Sequence, residues 1–245
     1  NPILDYKNDL VWSDAKAVIG DSYGSIYVAG ETSGDLDGQN NSINKESEIY
    51  HNNDIFLSKF KSDGTKEWTR LLGNQEGETF GALSIGLDGS IYIAGNTYGD
   101  FEGYTLYGQS EFLTKYNSDG DKLWTKIISS RETSSSGISI PYSLTVDQED
   151  SIYLSSQKQS ESYNPTREIV ITKLKNDGTN IWKKTISNNN DTYDYPSSLI
   201  NTADGSLYLS GYTNDNFNGE INNGETDAFV TKFQDEIGNN NDGTI

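Results

Sequence analysis

The chain has no cysteine, no methionine, a single histidine and only four prolines. The missing cysteines exclude disulfides and thiol chemistry. One histidine, His51, cannot build a multi-histidine metal site. Nothing around the serines has the Gly-x-Ser-x-Gly form that a Ser-His-Asp site on a nucleophile elbow requires. Phosphate-binding and dinucleotide fingerprints are also missing. No apolar run approaches the length needed to span a membrane. Basic residues are scarce: 18 Lys and Arg against 37 Asp and Glu give a net charge of −19. That balance argues against nucleic acid and anionic membranes as partners, since both call for basic surface. It suits a saline medium or divalent cations. The chain opens on Asn and lacks Met, which marks it as an excised or processed segment, expected to belong to a larger multidomain polypeptide. No signal or transit sequence is readable.

What the sequence does have is repetition. Trp12, Trp68, Trp124 and Trp182 follow one another at steps of 56, 56 and 58 residues. A constant period of this size signals repeat architecture. The clearest block is Ser25-Ile26-Tyr27-Val28-Ala29-Gly30. It returns as Ser90 to Gly95, Ser151 to Ser156 and Ser206 to Gly211. Each copy is short, apolar and rich in β-formers, as a buried strand is. A second block, Asp54 to Phe60, returns at Glu111, Glu168 and Asp227. Three Asp-Gly pairs follow it, at Asp63-Gly64, Asp119-Gly120 and Asp177-Gly178, and each leads into a Trp strand. Asp-Gly between strand patterns is a hairpin signal. A weaker strand precedes each Ile-Tyr block.

One unit therefore holds four short strands, and four-stranded units of this length are propeller blades. No segment has helical periodicity. The expected fold is all-β: a propeller of four blades, each of four antiparallel strands. The blades fall at 14–72, 80–128, 141–187 and 197–234. A lone strand at 9–13 would close the ring by completing the last blade. The propeller then spans 1–238, with a tail or linker at 239–245. A piece of a longer array is the competing arrangement, because Asp242-Gly243-Thr244 begins the repeat's turn again.

The blocks Leu87 to Gly95 and Asp227 to Phe233, with Lys66-Glu67-Trp68-Thr69-Arg70-Leu71-Leu72-Gly73, resemble the SBBP-type bacterial β-propeller repeat. The third unit departs from it, since Gln157 to Arg167 lacks a Gly-rich loop and Glu168-Ile169-Val170 replaces Asp-Ala-Phe. Such repeats are similar to ones in large exported bacterial proteins, notably of cyanobacteria, often beside calcium-binding or adhesive modules. The resemblance implies a propeller and an extracellular or cell-surface location. It implies no reaction.

Strand direction alternates within a blade, so the long variable loops share one face. They run from Glu31 to Asn53, Asn96 to Ser110, Gln157 to Arg167 and Tyr212 to Thr226. Loops on a rigid scaffold are where binding concentrates. Tyr50, Tyr98, Tyr104, Tyr107, Tyr163 and Tyr212 are the candidate ligand-binding residues. Tyr193 and Tyr195 fall in loops as well. An exposed ring can stack on a sugar or anchor a protein while its hydroxyl stays wet. The alternative is packing between blades, which Tyr27, Tyr92, Tyr153 and Tyr208 are expected to do.

Three loops carry oxygen-rich runs at 32–38, 97–103 and 213–219. Asp35, Asp37, Asp100, Glu102 and Asp215 are the candidate metal ligands, with calcium, a hard cation that takes oxygen donors, as the implied cofactor. The opposing structural reading has these side chains bonding their own turns, with Leu36, Phe101 and Phe217 plugging the blades. The functional expectation is a non-catalytic binding or adhesion module that recognises a glycan or protein at a cell surface. The alternatives are a structural spacer or a carbohydrate-active enzyme using paired acids.

Overall fold

In the computed structural model, residues 11–42, 53–131, 137–160, 166–186, 193–217 and 220–234 are described. They form an all-β, propeller-like fold of four antiparallel sheets, with no helix. The first sheet is β1 (Ser13–Gly20), β2 (Ile26–Thr32), β3 (Asp54–Phe60) and β4 (Lys66–Leu72). The second is β5 (Glu78–Ile85), β6 (Ile91–Thr97), β7 (Ser110–Tyr116) and β8 (Lys122–Ser129). The third is β9 (Ile138–Val146), β10 (Ile152–Gln159), β11 (Arg167–Leu174) and β12 (Asn180–Ile186). The fourth has three described strands, β13 (Tyr195–Asn201), β14 (Ser206–Thr213) and β15 (Asp227–Gln234). Within each sheet the strands pair in chain order.

The chain divides into two compact units, residues 1–80 and 81–245. In the second unit the sheets pack in succession. Tyr92, Ala94 and Leu113 of the second sheet meet Leu144, Ile152 and Leu154 of the third. Tyr153, Ile169 and Ile171 of the third meet Leu199, Leu207 and Leu209 of the fourth. The two faces of each Ile-Tyr strand thus serve two neighbours, as side chains alternating with period two require.

Pairing register aligns the units to the residue. Tyr27 lies opposite Lys59, and Lys59 opposite Trp68. The row recurs as Tyr92–Lys115–Trp124 and Tyr153–Lys173–Trp182, and Tyr208 opposes Lys232 in the last sheet. Each of these lysines holds its ammonium 5.0–5.7 Å from the Tyr ring centre, a cation–π distance. Each Trp ring lies 6.2 Å from its Tyr.

The turns follow from sequence. At Asp63-Gly64, Asp119-Gly120 and Asp177-Gly178 only the glycine takes positive φ, 79–84°. Asp63 and Asp177 each accept the amide of the Thr two residues on, while at the middle turn Asn117 performs that role for Asp119 and Asp121. These are type I turns closed by a glycine bulge, where the two-residue hairpin would have put both residues at positive φ. Gly30 and Gly211 lie within β2 and β14 where a bulged first strand crosses: a Cβ would strike the carbonyl of Asp14 or Tyr195.

The expected closing strand differs from expectation. Ser13 already belongs to β1, opposite Thr32, and the Trp12 carbonyl accepts the Ser33 amide. Trp12 immediately precedes β1, whereas Trp68 stands ten residues ahead of Glu78, the equivalent of Ser13. The described part of residues 9–13 therefore extends the first sheet, and Asp9 and Leu10 lie outside the described residues. The 239–245 tail is also outside the described residues.

Candidate functional site

Two of the oxygen-rich loops are tight hairpins. Leu36 bridges Gln39 across Asp37 and Gly38, whose φ values are 52° and 78°. Phe101 bridges Tyr104 across Glu102 and Gly103 at 52° and 86°. Both are the type I′ geometry. Phe217 also bridges Glu220. The loop is then tied by an Asx contact six residues long. Asp35 accepts the Asn41 amide, Asp100 the Leu106 amide and Asn216 the Asn222 amide, all at 2.8–2.9 Å.

The candidate metal ligands are placed by these turns. Asp37 pairs with Lys66 and accepts the Thr69 hydroxyl at 2.6 Å. The Lys66 and Thr69 bonds hold its carboxyl below the usual range. Glu102 pairs with Lys122. Asp215 accepts the amide of Asn216. Among the described residues no group of three or more His, Cys, Asp or Glu stands close enough to hold a metal ion.

Of the candidate ligand-binding tyrosines, Tyr50 and Tyr163 lie outside the described residues, as does His51. Tyr107 is 76% exposed, and Tyr104, 38% exposed, donates to the Thr125 carbonyl. Tyr98 is half-buried. Tyr212, 41% exposed, stacks on Tyr195 at 4.5 Å and 14°.

That stack belongs to a cluster that sequence alone did not find. Arg167 opens β11, and its guanidinium lies 4.7 Å from the Tyr193 ring centre and 5.4 Å from that of Tyr195. Tyr193 bridges Arg167 through the backbone, and the Arg167 carbonyl accepts the Asp194 amide. Tyr142 on β9 is close by: burial, then Tyr195 and Tyr212, push its hydroxyl pKa up. Arg167 Nε is buried without a hydrogen-bond partner. Arg167, Tyr193, Tyr195 and Tyr212 lie at strand ends or beside them, next to the long loops or the sheet-to-sheet connections, and Tyr142 lies in the middle of β9. A guanidinium between aromatic faces offers planar donors to a carboxylate or sulfate, and the rings offer a stacking surface. Tyr193 and Tyr195 carried a readable signal, as loop tyrosines. Arg167 carried none, because nothing in sequence says that two rings gather round it.

Two further acids are fully buried. Asp54 and Glu78 both approach Gly73, where a Cβ would collide with Asp54 Oδ1 and stand 2.7 Å from Glu78 Oε2. Burial pushes the Asp54 carboxyl up, opposed by the Ser42 amide it accepts. Glu111 on β7 is buried, raised by that burial and bonded by the Ser156 hydroxyl. Both carboxyls of the pair at Gly73 are sealed from solvent, so they offer no surface to a substrate.

No protein-family description matches the chain, and no curated protein matches it either. Among solved structures it is similar to a Dyadobacter fermentans protein of unknown function, with 13% identity and a TM-score of 0.60 over 94% of this chain and 68% of that one. This likeness supports the fold alone. A protein described as a gluconolactonase aligns at 14% identity and a TM-score of 0.37, over 80% of this chain and 54% of its own. An ACO/RPE65 chimera aligns at 10% and 0.37, over 83% and 61%.

Proposed function

We propose that this chain is a non-catalytic binding module that recognises a glycan or protein through the loop-bearing ends of its sheets. The observation that carries the reading is the Arg167 guanidinium set between Tyr193 and Tyr195, with Tyr212 stacked on the latter. In this reading the ligand lays an apolar face on the rings and an anionic or hydroxyl-rich group on Arg167. The four sheets are blades of an SBBP-like propeller within a larger exported chain, at the cell surface or outside the cell. If the four-blade ring closes by an N-terminal strand, residues ahead of Val11 must supply it.

The test is a glycan array probed with the chain in calcium and again in chelator, beside an Arg167→Ala variant. A specific hit that weakens at least tenfold in the variant is the expected result. A hit unchanged by the substitution, or no hit in either buffer, overturns the glycan reading at this site. Loss of the hit in chelator alone assigns the loop acids Asp35, Asp37, Asp100 and Glu102 a part in binding.

A further inference from the structure

The hairpin that follows β6 folds back against β8, the edge strand of the second sheet. Tyr104 donates to the Thr125 carbonyl at 3.3 Å, and Glu102 pairs with Lys122. Between hairpin and strand lies an open groove of about 400 Å³, within the size range of small-molecule sites. Its polar end is the Glu102–Lys122 pair, and its apolar side is Tyr104, Leu123 and Trp124. Residues 97–131, which carry the whole groove, are all described.

The repeat accounts for only part of this groove. The first sheet builds the same frame: Leu36 bridges Gln39, and Asp37 pairs with Lys66. There Gln39 stands at the place of Tyr104 and, by register, Glu67 at the place of Leu123. Glu67 is bonded by Lys59 at 3.1 Å. Leu123 offers no such acceptor, and the matching Lys115 reaches Asp88 and Asn176 instead. Two polar residues of the first sheet are thus a ring and an aliphatic side chain in the second, 38% and 52% exposed. Neither belongs to the cluster packed between the second and third sheets.

An apolar wall beside an ion pair selects the chemistry of what fits. The carboxylate accepts, the ammonium donates, and their charges cancel. Neighbouring hydroxyls, each able to donate and to accept, match both partners. The C–H face of a sugar ring matches the Tyr104 ring. A free anion or cation is opposed by one member of the pair. An added β-strand is opposed as well, because the Tyr104 hydroxyl already occupies the Thr125 carbonyl on the β8 edge.

We propose that this groove is a saccharide site for a neutral sugar ring, which lies on Tyr104 and Leu123 and places adjacent hydroxyls on Glu102 and Lys122. The site shares the glycan reading proposed above and uses none of the residues of the Arg167 cluster.

Titration of the isotope-labelled chain with maltose, cellobiose and lactose, followed by amide chemical shifts in NMR, reads the outcome. At least one disaccharide is expected to give saturable shifts at Gly103, Leu123 and Thr125. Tyr104→Gln installs the first sheet's residue at an exposed position and should weaken that binding about tenfold. Glu102→Gln should weaken it too, and the same spectra check that both variants keep their fold. No saturable shift with any of the three sugars, or shifts unchanged in Tyr104→Gln, overturns the proposal. Shifts at these amides with glucuronate but with no neutral sugar overturn the choice of an uncharged ligand. Arg167→Ala should leave the titration unchanged, and a titration lost in that variant overturns the proposal in favour of the Arg167 cluster. Failure here and failure of the binding reading at Arg167 are therefore separate results.

Discussion

The junction between the second and third sheets and that between the third and fourth follow one plan but bury different chemistry. In the later junction Ile169 packs among Leu199, Leu207 and Leu209, and the Tyr153 hydroxyl donates to Asp147 at 3.0 Å. In the earlier one Glu111 replaces the isoleucine and Gly86 replaces the aspartate, so the buried Tyr92 hydroxyl has no partner. The turn has adjusted locally: Asp88 accepts the Ser90 amide and hydroxyl, and Lys115 reaches Asp88 and Asn176. Burial, with the charges of Asp88 and Asp150, pushes the Tyr92 hydroxyl pKa up. The difference teaches that apolar strand pairing sets the junction. The polar groups within it vary, and each carries its own cost.

The largest expected effect breaks both junctions alike. Leu154→Ala and Leu209→Ala remove fully buried side chains from equivalent positions, and each should cost about 2–5 kcal/mol in chemical denaturation. Equal losses mean the two junctions are equally well packed. A markedly smaller loss at Leu154 would mean that the polar junction is already loose.

Next comes Glu111. Burial raises its folded pKa, so the native state keeps the carboxyl proton to higher pH than the unfolded chain does. Stability should be greatest below the ordinary glutamate range and fall as pH rises from there through the raised value. Glu111→Ile should flatten that slope and add about 1–3 kcal/mol at pH 7. A variant no more stable than wild type at pH 7 would show that Ser156 fully satisfies the carboxyl.

The smallest effect separates the two tyrosines. Tyr153→Phe removes a made hydrogen bond and should cost about 0.5–1.5 kcal/mol. Tyr92→Phe removes a hydroxyl with no partner and should be neutral or slightly stabilising in the same denaturation series. Equal costs would mean that a water molecule serves Tyr92.

Much of this plan was legible in the sequence. The Ile-Tyr strands, the Asp-Gly turns and the Trp strands of the three complete sheets all form where their patterns put them. The Trp12 strand was misread, because a Trp at the right step looks like the repeated one until register shows that β1 begins at the next residue. Glu111 was obscured by the same slip. Read by type it matches Asp54, yet the pairing of Lys115 with Tyr92 sets it one residue further on, at the place of Ile55. In a strand one residue exchanges the two faces, so a pattern that identifies the strand still leaves its inward side chains undecided. The Arg167 cluster was illegible for another reason: it joins β9, β11, β13 and β14, and only packing brings them together.

The in-order pairing within every sheet has a kinetic consequence. Most partners are separated by a single turn or loop, so each sheet can form from local chain alone without waiting for distant segments. Folding of this kind is fast for an all-β protein and proceeds by addition of one sheet to the last. A ribosome delivering the chain from its N-terminus would release one sheet's worth of sequence at a time, each with its template already in place.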